Sequence, residues 1–84
     1  MHVEFLGIPR ERAGLSEVEL DAATLGEVLT VLSARFPALR ELIPAGALHA
    51  SVAASLNGDL FVSDPSTPLT TDDRLILLSA DAGG

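Results

Sequence analysis

The chain has 84 residues, 12 acidic side chains against 5 basic ones for a formal charge of −7, and no cysteine. That length allows one domain, and the missing thiol excludes disulfides, thiolate metal sites and cysteine nucleophiles. All five basic residues are arginine, so there is no Walker-type phosphate loop, no Schiff-base lysine and no lysine to accept an isopeptide. An apolar content of 48% argues against disorder and for a core that stands without a staple. The negative charge repels phosphate backbones and anionic lipid, so neither nucleic acid nor membrane is expected as a partner, and a basic protein surface is. No apolar run approaches the ~20 residues of a membrane span. The start carries no basic leader, and a cytoplasmic location is expected.

His2 to Ile8 reads as a first strand, with Val3 and Phe5 on one face and His2, Glu4, Leu6 and Ile8 on the other. Pro9 ends it, and Arg10 to Gly14 reads as a polar connector. Ser16 to Leu20 alternates as a second, half-buried strand, with Val18 and Leu20 inward. The pair suggests an opening hairpin. Asp21 to Phe36 is a helix: Thr24 and Glu27 make a capping box, and Leu25, Val28, Leu29, Leu32 and Phe36 form one apolar stripe. Pro37 stops it, and residues 38–43 can form a further turn before Pro44. Ser51 to Leu56 is an inner strand, Asn57-Gly58 a tight turn, and Leu60 to Val62 the returning strand. Arg74 to Leu78 is the last strand, after a turn containing Asp72 and Asp73. The order is β-β-α-β-β-β, an α+β arrangement with one helix to cover one face of a mixed sheet.

After Leu78 no side chain exceeds aspartate, so residues 79–84 are expected to be a flexible tail on a domain of residues 1–78. Gly83 and Gly84 lack Cβ and can enter a channel too narrow for other residues, presenting a carboxylate there. The scattered glycines have no dinucleotide or phosphate-loop spacing. His2 and His49 lie far apart in sequence and read as surface residues, and Arg10 and Glu11 as a polar face.

These pieces together resemble the ubiquitin-like β-grasp sulfur carriers, most of all the small subunit of molybdopterin synthase and more distantly the thiamine sulfur carrier. The resemblance spans nearly the whole chain. It rests on Arg10-Glu11-x-x-Gly14, Thr24-Leu25-x-x-Val28-Leu29, Ser55-Leu56-Asn57-Gly58, Pro68-Leu69-Thr70-x-Asp72-Asp73-x-Leu75 and Gly83-Gly84. The chain departs from that subunit at Asp72, where a glycine is usual, and at Leu77 to Ala80, where aromatic residues and prolines are frequent. The resemblance implies a β-grasp fold and a reaction at Gly84. A ubiquitin-activating-like adenylyltransferase would adenylate the Gly84 carboxylate with its own ATP, and sulfur would then enter as a thiocarboxylate. The chain itself would bind no cofactor and no metal, and catalytic groups would lie in its partners. The acceptor would be the large subunit of molybdopterin synthase or another sulfur-accepting enzyme, serving cysteine, thiamine, tRNA or a natural product. A ubiquitin-like protein modifier and an inert β-grasp interaction module are the alternatives.

Strand alternation places Leu6, Ile8, Leu60, Ile76 and Leu78 opposite Val3, Phe5, Phe61, Leu75 and Leu77. The helix covers one face only, so the other is expected to be a leucine-rich docking patch unless residues 38–50 fold over it. The resemblance places Leu6, Leu60, Leu78 and Ala82 among the partner-binding positions.

Overall fold

The computed structural model describes residues 1–80. A five-stranded mixed sheet of order β2-β1-β5-β3-β4 is built from β1 (His2–Phe5), β2 (Glu17–Glu19), β3 (Val52–Leu56), β4 (Leu60–Val62) and β5 (Arg74–Ser79). The first and last strands lie parallel at its centre, pairing His2 with Arg74 and Phe5 with Leu77. The outer pairings, β1 with β2 and β3 with both β4 and β5, are antiparallel.

The expected helix spans Leu25–Arg35 and is called α2. Thr24 Oγ1 accepts from Glu27 N at 3.2 Å, and Glu27 Oε2 accepts from Ala23 N at 2.6 Å, so the capping box reaches back one residue before the cap. Leu25, Val28, Leu29 and Leu32 are fully buried against Val3, Phe5, Leu75 and Leu77. Phe36 closes the stripe edge-on to Phe5, ring centroids 5.9 Å apart. Segment 38–50 does not cross to the far side of the sheet. It coils in two short 3₁₀ turns, Pro37–Leu39 and Pro44–Gly46, and buries Leu39, Leu42 and Ile43 in the same core as α2.

The structure departs from the sequence reading between β1 and β2. β1 stops at Phe5, and Ile8–Ala13 forms a short helix, α1, where a strand end and a polar connector were expected. Pro9 sits in its first turn, where the missing N–H costs nothing, and Gly14 at φ 79° caps its end. Arg10 and Glu11 therefore sit on a helix. The last strand also runs one residue past Leu78. Ser79 pairs with Val52 and is buried, so the domain expected to end at Leu78 includes it.

Candidate functional site

Register decides what each face of the sheet presents. Val3, Phe5, Leu75, Leu77, Ala54 and Val52 point toward α2 and are buried. The opposite face receives Glu4 beside Ile76, Ile76 beside Ser55, and Ser55 beside Phe61. One register step on, Leu78 lies beside Ala53. Phe61 is 70% exposed, and Leu6, one residue past β1, is 43% exposed. Ile76, Leu78 and Ala53 are half-buried. Leu6, Ala53, Phe61, Ile76 and Leu78 thus form an uncovered apolar patch on β5, β3 and β4 and the end of β1.

Two residues of β4 have the opposite facing from the one expected from sequence. Leu60 pairs with Leu56, which pairs with Leu75, so Leu60 belongs to the helix-side face. It stands at the sheet edge, 57% exposed. Phe61, expected inside, is on the outer face. The cause is the turn. Asn57 and Gly58 adopt the positive φ of 55° and 78° that these residue types tolerate, but the pairing of Leu56 with Leu60 makes the loop three residues long. A two-residue loop would pair Leu56 with Asp59 and turn Leu60 outward; one extra residue reverses the facing of the whole strand.

The turn is clamped to the start of β5. Asn57 N donates to Arg74 O at 2.8 Å, and Asn57 Oδ1 accepts from Arg74 N at 2.9 Å. Asp73 accepts from Asn57 Nδ2 at 3.0 Å and from Thr70 N at 2.8 Å. The hydrogen bond from Asn57, with that from Thr70, holds the Asp73 carboxyl below its ordinary range. Asp73 is a turn residue, as its sequence position suggested.

The β1–β2 end of the same outer face is charged. His2 Nδ1 donates to Glu19 Oε1 at 2.7 Å, and His2 Nε2 lies 3.1 Å from Glu17 Oε2. Arg74 Nη1 donates to Glu4 Oε1 at 2.7 Å. The Glu19 hydrogen bond raises the His2 pKa above 6.5, and its counterpart lowers that of Glu19. Among the described residues, donor atoms of His2, Glu4 and Glu17 come within 4.8 Å of one another, a proximity the sequence spacing did not suggest. Those atoms are already engaged, by Arg74 and by one another, as an ion-pair cluster. His49 is separate, its Nδ1 2.9 Å from Ser51 Oγ.

β5 delivers the chain toward Gly84 from the same end of the sheet as Leu6 and Leu78. Ser79 Oγ accepts from Ile8 N at 2.8 Å, and Ala80 N donates to Ser51 O at 2.8 Å. Ala82, Gly83 and Gly84, named from sequence as contact and reaction positions, lie outside the described residues, as does the tail beyond Ala80. No helix among the described residues is long and apolar enough to cross a membrane.

The model of the ThiS family matches residues 3–84. Among solved structures, SAMP1 from Haloferax volcanii superposes with a TM-score of 0.82 at 26% identity, covering 100% of this chain and 98% of that one. A chain of the Amycolatopsis orientalis BexX/CysO complex gives 0.79 at 26% identity, covering 99% and 98%. Urm1 from Sulfolobus solfataricus gives 0.71 at 16% identity, covering 94% and 99%, and speaks to the fold alone. No curated protein matches the chain in sequence.

Proposed function

Because the chain belongs to the ThiS family of ubiquitin-like β-grasp sulfur carriers, we propose that it carries sulfur as a thiocarboxylate on Gly84. The observation that carries this reading is the extent of the family match, which includes Gly83 and Gly84. The chemistry follows from ordinary reactivity. A Gly84 carboxylate oxygen attacks the α-phosphorus of ATP held by an adenylyltransferase, and pyrophosphate leaves. Hydrosulfide then attacks the carbonyl of the acyl adenylate, AMP leaves, and the thiocarboxylate remains. That group is a good sulfur nucleophile, and a chain without cysteine or lysine offers an activated terminus few internal competitors.

The apolar patch of Leu6, Phe61, Ile76 and Leu78 is the docking face in this reading, with Leu60 flanking it at the β4 edge and Ala82 entering the partner's channel. The −7 charge suits an activating enzyme with a basic surface. The acceptor favoured by the sequence resemblance is the large subunit of molybdopterin synthase, in the cytoplasm. The likeness to the BexX/CysO complex keeps other sulfur-accepting enzymes in view. Incubation with an adenylyltransferase, ATP and a sulfide source should add the mass of one oxygen-to-sulfur exchange, and deletion of Gly84 should prevent it. An unmodified full-length chain under those conditions refutes the reading. Adding purified large subunit then tests the acceptor.

A second reading has its own observation. The fold is shared with a protein described as a small archaeal modifier protein, from Methanosarcina acetivorans, at 25% identity. Gly-Gly remnants on lysines of other proteins, absent when Gly84 is deleted, would establish conjugation.

A further inference from the structure

We propose that Ser79 is a positioning residue: its buried hydroxyl fixes the point from which the chain leaves the sheet toward Gly84. The inference rests on the sulfur-carrier reading and adds to it how the reacting carboxylate is presented. Ser79 is the one buried polar residue in the core of the described chain. It sits at the end of the central strand β5, where an apolar side chain would continue the Leu75 and Leu77 row. Its Oγ instead accepts from Ile8 N at 2.8 Å, at the entry to α1. The bond is partly shielded from water and joins residues 71 positions apart, so it ties the entry of α1 to the end of β5.

The opposing backbone is shaped to receive the hydroxyl. Gly7 adopts φ 63°, and a Cβ built there would collide with Ser79 Oγ. On the other side, Ala80 N donates to Ser51 O at 2.8 Å. The departing chain is therefore gripped from β1–α1 through a side chain and from the start of β3 through the backbone. Four residue steps separate Ala80 from Gly84, at most about 14 Å of extended chain. With so short a reach, the direction set at Ser79 decides whether Gly84 meets a reactive phosphate in line, and small misplacements are expensive in rate. None of the atoms in this grip belongs to the outer-face patch of Leu6, Phe61, Ile76 and Leu78, so presentation and docking separate experimentally.

The test is steady-state adenylation of the full chain by an adenylyltransferase that activates the wild type, followed as pyrophosphate release with the chain as varied substrate. Ser79→Ala should lower kcat roughly tenfold while KM stays within about twofold. Gly7→Ala retains the Ser79 hydroxyl but pushes it out of place, and should reproduce that split. Ser79→Thr, which keeps the acceptor, should recover most of kcat. In the wild type the Ile8 amide should exchange slowly with solvent, and in Ser79→Ala quickly, while the Leu77 amide stays protected. If Ser79→Ala does not fold, Ser79→Cys, with a similar shape and a weaker acceptor, carries the same comparison. Unchanged kcat, or a raised KM with kcat intact, overturns the proposal. If no adenylyltransferase of the chain's host activates the wild type, the sulfur-carrier reading itself is struck instead.

Discussion

The two faces of the sheet are made by the same five strands and meet opposite fates. On one, Val3, Phe5, Leu75 and Leu77 disappear beneath α2 and the coil that follows it. On the other, nothing in residues 1–80 covers Ile76, Leu78 and Phe61, while β1 and β2 carry Glu4, Glu17, Glu19 and His2. Among the described residues α2 is the one long helix, and it lies on a single face. Residues 1–80 leave the other face open, and its two ends differ in how they meet water. The charged end satisfies its groups with one another; the apolar end has no such recourse.

The largest expected effect falls on the covered face. Leu29→Ala empties the centre of the core and should cost about 2–5 kcal/mol in denaturant unfolding, while partner affinity of the folded fraction stays unchanged. A loss of affinity as large as the loss of stability would erase the distinction between the faces. Next comes the apolar end of the open face. Phe61→Asp should weaken binding of the activating partner by about 2 kcal/mol, roughly 30-fold in Kd by calorimetry, with stability within about 0.5 kcal/mol of wild type. If Leu60→Asp weakens binding and Phe61→Asp does not, docking is at the strand edge and not on the face.

Thr24→Ala removes the α2 cap and should lower stability by about 1 kcal/mol without altering docking. The smallest effect belongs to the charged end. The His2 contribution is fully present below pH 6.5 and is lost as pH rises through its raised pKa. That of Glu19 is present above pH 4.5 and is lost as pH falls through its lowered pKa. Stability differences between wild type and His2→Ala should thus be greatest between pH 4.5 and 6.5 and shrink on both sides. A difference undiminished at pH 9 would mean that packing, not the ion pair, holds β2.

Much of this was legible in the chain. The α2 stripe has a clear period, its cap is spelled out by Thr24 and Glu27, and Asn57-Gly58 announces the β3–β4 turn. α1 was hidden because six residues give no period to read, although Pro9 and Gly14 bracket it at the positions that start and stop a helix. β4 defeated the reading differently. Leu60, Phe61 and Val62 are all apolar, so no alternation marks their faces, and the facing rests on a loop length that the turn residues leave open. Ser79 looked like the first residue of a small-residue tail. Its role as an acceptor depends on Ile8, 71 positions away in sequence, and no local pattern records that.

The central position of β5 has a consequence for how the molecule forms. It follows every other strand in the chain, yet it alone joins the β2-β1 pair to the β3-β4 pair. Until it is in place the nascent protein has two separate ribbons and no continuous sheet, and isolated two-stranded ribbons are marginal in water. The decisive contacts link residues more than 70 positions apart, as His2 with Arg74, so closure is entropically late and folding should be slow for a domain of this size. The strand that leads to Gly84 is also the one that completes the fold, so a partner that docks on the finished sheet engages only chains that have closed it.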